Sequence, residues 1–410
     1  MTEREPEGRW RQLLVLSFVV LLVLGTWFSA TAVSPVLAAE WGLDRVGVAT
    51  LTVAVQLGFA AGAVTLATLG VPDVVPARWL IAVGGLTAAA SNAAFALLSD
   101  DLASSIPFRA LTGASVAAVY PVGMKLLAGW FRRERGLAVG TLIGAITIGS
   151  ALPHLLRAGG LLLELDWRTV VLTASAAAGL GAVVSALAVG DGPFTVPAAR
   201  FSPAIARAAL RERSVMLANA GYLGHMWELY AMWSWIPFFL AASLAVTGST
   251  TAAVASLAAF AVVASGAIGC VAAGAMADRL GRTALTIGAM AVSGSSAVVT
   301  GLLFGAWPAL LIAVCLVWGI SVVADSAQFS TAVSELAPPG TAGSALTLQT
   351  ASGFALTAAT IWGVSLLDPA DASGWRIAFA VLAIGPALGI LAMWRLRHRP
   401  DASRMAGGRR

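Results

Sequence analysis

The chain of 410 residues is 59% hydrophobic and only 11% charged, with a mean hydropathy of +0.86. An ordinary soluble domain carries about 25% charged residues, so this composition excludes one and points to an integral membrane protein. The net charge of +5 does not point to nucleic acid, and two cysteines inside apolar runs, Cys270 and Cys315, supply neither a disulfide framework nor a metal motif.

Apolar runs broken by charged residues, proline or glycine predict twelve membrane spans, over 13–37, 47–70, 78–98, 103–128, 136–160, 167–189, 214–243, 250–276, 283–305, 307–334, 342–366 and 374–395. The run from Leu13 to Leu37 outlasts the apolar core of a signal peptide, about 7–15 residues, and is expected to stay as span 1. The longest polar break, 190–213, divides the chain into a bundle over 1–189, a cytoplasmic linker and a bundle with a short basic tail over 214–410. Of the 25 Lys and Arg residues, all but Arg45, Arg109, Arg157, Arg168 and Arg376 fall on one side when both termini are cytoplasmic, which predicts that orientation in the cell inner membrane. The halves repeat. Trp167-Arg168 and Trp375-Arg376 are offset by 208 residues, Asp73 and Asp278 by 205, Gly136 and Gly343 by 207. The expected fold is all-α, with twelve transmembrane helices in two pseudo-symmetric six-helix bundles and a solute site near the midplane between them.

In chain order, span 4 carries Arg109 about two turns into the membrane, on a face with Ser105, Thr112, Gly113 and Tyr120. An arginine at that depth must face protein or water; it pairs with an acid or a helix end, or it binds solute. Lys125, near the end of the same span, can snorkel. His154 in span 5 faces with Thr147 and Ser150, where packing is the plainer role. Span 7 is the most informative stretch. Gly221, Gly224, His225, Glu228, Ala231, Met232 and Trp235 share one of its faces, and Tyr222, Trp227, Tyr230 and Trp233 lie around the others. A carboxyl group inside a membrane is costly and is kept for function by default. Glu228 with His225 one turn away is read as a proton site, or else as a packed hydrogen-bonded pair. Met232 and Trp235 either pack solute or pack helices. Span 10 adds Asp325, on a face with Trp318, Ser321, Gln328 and Phe329, and span 11 adds Gln349, a ligand contact or an interhelical hydrogen bond.

The loop after span 8, Gly274-Ala-Met-Ala-Asp278-Arg279-Leu-Gly281-Arg282, is similar to the G-x-x-x-D-R-x-G-R loop of the major facilitator superfamily. The first-half copy is LGVPDVVPAR, which keeps Asp73 and the basic Arg78 but lacks the opening glycine and the arginine after the aspartate. Arg109-Ala-Leu-Thr-Gly113 is similar to the superfamily's R-x-x-x-G motif. Gly140 and Gly149 match half of its antiporter motif, but Pro153 is followed by His154 rather than preceded by the expected glycine. The resemblance covers nearly the whole chain. It implies a cytoplasmic latch at Asp73, Arg78, Gly274, Asp278, Arg279, Gly281 and Arg282, and a coupling role for Arg109. GHMWELYAMW in span 7 is loosely similar to bacterial cyanate- and nitrate-type permeases, which implies a small solute.

The expected function is secondary transport of a small solute by alternating access, coupled to protons through Glu228, His225, Asp325 and Arg109. Arg109, Trp235, Met232, Gln328, Gln349 and His154 are the candidate solute contacts. Arginine content favours a small organic or inorganic anion; proton-driven efflux of a hydrophobic, drug-like compound is the second reading, and a transporter-like membrane sensor a third. No nucleophile–base pair, Walker loop or metal triad stands out, so no enzyme, cofactor or metal is expected. The expected partners are the solute, protons and the lipid bilayer, with the protein monomeric.

Overall fold

The structure, a computed structural model, describes residues 6–194, 202–248, 251–369 and 371–409. These residues form helices and turns, with no strand among them. Twelve spans are long and apolar enough to cross a bilayer: Arg9–Trp41, Arg45–Leu69, Ala77–Leu98, Leu102–Ala128, Arg135–Leu162, Trp167–Ala188, Arg213–Val246, Ala252–Leu280, Arg282–Leu302, Pro308–Leu336, Ala342–Leu367 and Ala372–Arg397. An even number of spans puts both termini on one face, called here the terminal face.

On the opposite, far face, short polar side chains start every even-numbered span except span 10, which opens on Trp307 and Pro308. Asp44, Asp101, Asp166, Thr251 and Asp371 each accept a hydrogen bond from a backbone N–H in the first turn of spans 2, 4, 6, 8 and 12. Such caps satisfy donors that a helix start leaves unpaired. The hydroxyl and N–H of Ser104 hold the Asp101 carboxyl below the usual carboxylate range, and the N–H of Gly374 does the same for Asp371.

The duplication appears as one contact plan used twice. In the first half span 1 packs on spans 5 and 6, span 2 on span 4, and span 3 on spans 4 and 6. In the second half span 7 packs on spans 11 and 12, span 8 on span 10, and span 9 on spans 10 and 12. The halves meet through two equivalent pairs, span 5 with span 8 and span 2 with span 11. Glycines set the first of these. A Cβ on Gly136 would lie 2.5 Å from the carbonyl of Gly274, and one on Gly140 would run into the carbonyl of Cys270. Close backbone approach between small residues is how membrane helices gain packing energy where burial from water contributes nothing.

Three spans predicted as continuous are broken. Span 1 is Arg9–Leu24 followed by Ser29–Trp41, span 4 is Leu102–Val116 followed by Tyr120–Ala128, and span 10 is Pro308–Val322 followed by Ser326–Leu336. In span 4, Pro121 removes a backbone donor at the start of the second segment. In spans 1 and 10 no proline marks the break, and side chains from other spans meet the freed carbonyls. Span 7 runs unbroken over 34 residues. The interval between the halves also holds a helix, Pro203–Arg211, which packs against spans 7 and 11; residues 195–201 lie outside the described residues. The last residues fold back as short 3-10 turns, with Met405 and Ala402 fully buried.

Candidate functional site

Two buried polar knots lie at related places in the halves, each built by the first, third and fourth spans of its bundle. In the first, Arg109 of span 4 is wholly buried. Its Nη1 donates to the Thr26 carbonyl at 3.2 Å, to Ser29 Oγ at 3.1 Å and to Asn92 Oδ1 at 2.8 Å; its Nη2 donates to the Trp27 carbonyl at 2.6 Å. The break in span 1 is what makes those carbonyls available, because residues 25–28 leave the helical ladder. Asn92 is itself steadied by donating Nδ2 to Ser175 Oγ at 2.9 Å. No carboxylate pairs with Arg109 among the described residues, so its charge is met by dipoles alone. Of the partners expected for Arg109, an acid or a helix end, the structure shows the helix end, at the break in span 1.

In the second knot, Glu228 of span 7 is 1% exposed. Ser293 Oγ of span 9 donates to its Oε2 at 2.8 Å, and Trp318 Nε1 of span 10 donates to its Oε1 at 2.7 Å. His225, one turn away, takes a different partner: its Nδ1 lies 2.9 Å from Asp325 Oδ1 at the break in span 10. That contact is off the hydrogen-bond line, and His225 Nε2 has no hydrogen-bond partner among the described residues. Glu228 and His225 are therefore neighbours but not a pair.

The stripe that carries them faces into the second half. Gly221 packs against Met393, Gly224 against Gly385 and Gly389, and Trp235 Nε1 donates to the Ile361 carbonyl at 3.2 Å. Met232 is fully buried. A helical wheel yields a common face but not its neighbour, and here the neighbours are spans 9 to 12.

The side of span 7 turned toward the first half is aromatic. Tyr230 stacks on Trp27 with ring centroids 5.8 Å apart and on Phe28 at 6.3 Å, and packs against Phe354 of span 11 at 5.1 Å. Phe59 of span 2 meets Phe354 at 4.2 Å, Trp27 at 5.0 Å and Tyr120 at 6.1 Å. Trp233 packs on Tyr230 and Phe28. Trp27, Phe28, Phe59 and Phe354 were not singled out from sequence, because an aromatic residue in an apolar run carries no signal of its own. Gln56 and Asn92 did carry one, as amides inside membrane spans.

A cavity of about 300 Å³ lies between spans 2, 4 and 11. Lys125 and Asp73 line it toward the terminal face, and Ala63, Pro121 and Thr350 line it further in. Those three sit within one helical turn of Phe59, Tyr120 and Phe354, so the cavity ends against the aromatic layer.

The remaining candidates are spread out. Lys125 Nζ is 2.5 Å from Asp73 Oδ1 and donates to the Pro72 carbonyl at 3.0 Å. Arg78 is exposed, its guanidinium over the Trp79 ring. Arg282 grips Glu335 with two bonds of 2.7 Å, donates to Gln328 Oε1 at 2.9 Å and touches Asp278 at 3.4 Å. Gln328 thus belongs to this terminal-face cluster, away from the aromatic layer. Gly281 has φ +86°, a turn conformation that suits glycine, and Arg279 is exposed. Gly274 packs on span 5. Gln349 Oε1 accepts from Ser330 Oγ at 3.2 Å. His154 is buried two turns beyond Thr147 and joins none of these contacts among the described residues. At the far face, Arg45 pairs with Asp368, and Trp362 Nε1 donates to Thr50 Oγ1 at 3.1 Å, joining the halves.

The family model for the Major Facilitator Superfamily matches residues 15–365. No curated protein matches the chain. The chain belongs to the major facilitator superfamily: it is a multi-pass membrane protein that carries a solute as a secondary transporter, and not an enzyme.

Proposed function

We propose that this superfamily member couples movement of a small organic anion to protons, with Glu228 as the proton carrier. The observation that supports this is the placement of Glu228: a fully enclosed carboxyl group held by Ser293 and Trp318, with no basic side chain paired to it among the described residues. In such surroundings a carboxylate can neutralise its charge only by taking a proton. Its donors come from spans 9 and 10, so a shift between those spans and span 7 changes how well the charged form is held. His225 and Asp325 face each other one turn away. The anion preference rests on Arg109, whose charge has no acid partner among the described residues and which is bonded to the Trp27 carbonyl. The aromatic layer favours the alternative of a hydrophobic solute to the extent that ring contacts outweigh charge.

The bundles over 1–189 and 214–410 rock about the layer between them, with both termini cytoplasmic in the inner membrane and the protein working as a monomer. Lys125–Asp73 ties down the terminal-face loop of the first half and Arg282–Glu335–Asp278 that of the second, while Arg45–Asp368 joins the two halves at the far face. The test is uptake of a panel of labelled small organic anions into proteoliposomes under an imposed pH gradient. Glu228→Gln should abolish gradient-driven accumulation while the purified protein keeps its unfolding midpoint. Wild-type accumulation in that variant removes Glu228 from the mechanism.

A further inference from the structure

The aromatic layer holds buried polar groups that the protein itself does not satisfy. Trp27 Nε1 and Trp233 Nε1 have no hydrogen-bond partner among the described residues, although both residues are at least 98% buried. Gln56, wholly buried, leaves both Nε2 and Oε1 unpaired, and Gln349 leaves Nε2 unpaired. Gln56 sits one turn from Phe59 on span 2. Gln349 sits one turn from Gly353, whose missing side chain makes room for the Tyr222 ring. Tyr120 on Phe59 and Tyr230 on Phe354 add two phenol rings to the layer. Buried donors are nearly always paired in folded proteins, and orphans are costly. Several of them in one layer between two moving halves, at the inner end of a cavity, mark a place where something else completes the bonding.

The chemistry of that partner follows from what is missing. Indole N–H groups only donate, and Gln349 has spent its oxygen on Ser330, so the unmet set is rich in donors. The walls are ring faces, and rings stack on flat partners. Arg109 adds a positive charge with no acid partner among the described residues, bonded to the backbone of Trp27 itself. We infer that the solute is a small planar aromatic carboxylate, whose ring takes over the faces of Trp27, Tyr230 and Phe354 as the halves part and these mutual contacts open, and whose oxygens meet the indole and amide donors. This rests on the reading that the solute site lies between the halves, and it names the solute's class.

The experiment titrates the full-length protein in detergent with benzoate, 4-hydroxybenzoate and nicotinate, reading heat of binding and tryptophan fluorescence. Cyclohexanecarboxylate keeps the charge without the ring, and toluene keeps the ring without the acceptors. Saturable binding is expected for at least one aromatic acid, with both controls at least about tenfold weaker. Trp27→Phe and Trp233→Phe keep a ring and delete one donor; each should weaken binding about tenfold, the loss of one buried hydrogen bond. Gln56→Leu should weaken it similarly, and Trp394→Phe, exposed at the end of span 12, should leave it unchanged. Unliganded unfolding midpoints show which variants are folded. No binding by any of the three acids, equal binding of cyclohexanecarboxylate, or wild-type affinity in all three layer variants overturns the inference. Accumulation of a non-aromatic solute under a pH gradient, lost in Glu228→Gln, overturns the solute class while leaving proton coupling standing; no gradient-driven accumulation of any solute counts against the coupling itself.

Discussion

In the first half the buried charge is a cation on span 4, held by carbonyls that a break in span 1 sets free. In the second half the buried ionisable group is a carboxyl on an unbroken span 7, held by side chains of spans 9 and 10. The contact plan of the two bundles is the same, so duplication fixed which helices touch and left the chemistry at the touching points open. A broken helix offers acceptors, and acceptors suit a guanidinium with its fan of N–H groups. An intact helix has spent its carbonyls, so a charge on it must find donors on its neighbours. The first knot ties the backbone, which makes it part of the framework. The second joins side chains only, and side chains can let go.

The difference predicts different costs. Arg109→Ala leaves the Thr26 and Trp27 carbonyls, Ser29 and Asn92 without their donor in the membrane interior, and should cost about 3–5 kcal/mol of stability. Denaturant unfolding in detergent micelles measures this. Arg109→Lys should recover part of it, since an ammonium cannot span the same acceptors. If Arg109→Ala is as stable as wild type, the arginine does not hold the break in span 1.

Glu228→Leu should cost about 2 kcal/mol in the same assay, because Ser293 and Trp318 lose their acceptor. Glu228→Gln should cost less than about 1 kcal/mol, since an amide oxygen still accepts from Trp318 and its NH₂ can donate to Ser293. A cost for Glu228→Gln equal to that of Arg109→Ala would make both knots structural and erase the contrast.

At the terminal face the halves differ again. Arg282→Ala breaks a bidentate pair, with the arginine side chain 8% exposed, and should cost about 1–2 kcal/mol. Lys125→Ala breaks a more exposed pair and should cost under about 1 kcal/mol. Equal losses would mean that the degraded first-half loop latches as firmly as the second-half one.

The smallest effect concerns the tail, which has no counterpart in the first half. The Ser214 hydroxyl, then Arg399, hold the Asp401 carboxyl below its ordinary value of 3.8. A carboxyl lowered on folding contributes stability above its unfolded value, and that contribution is lost as pH falls through the folded one. Proteolysis of the tail should therefore speed up below about pH 4, and Asp401→Asn should make it fast at neutral pH.

The loop after span 8 was readable because its residues act locally: Gly281 makes the turn and Arg282 opens the next helix. Glu335, the partner that gives Arg282 its hold, lies 53 residues on in span 10 and has no local signature. The acid Glu228 was legible as an anomaly of cost, but Ser293 and Trp318 look like ordinary span residues until they are seen beside it. The break in span 1 was invisible for the same reason. Gly25 and Thr26 do not by themselves stop a helix; Arg109, 83 residues from Thr26, makes stopping affordable.

Hydropathy and the repeat determined by themselves that this chain is a twelve-span duplicated bundle, because membrane insertion is decided segment by segment from local composition; the likeness to the major facilitator superfamily was carried by the motif residues of the loop after span 8 and of span 4. Only the tertiary structure decided that the ionisable stripe of span 7 turns inward and its aromatic side meets the other half. Helical periodicity states which residues share a face. Which neighbour a face meets is set by how all twelve helices pack, and in a bilayer both the bundle interior and the interface between halves can hold polar groups.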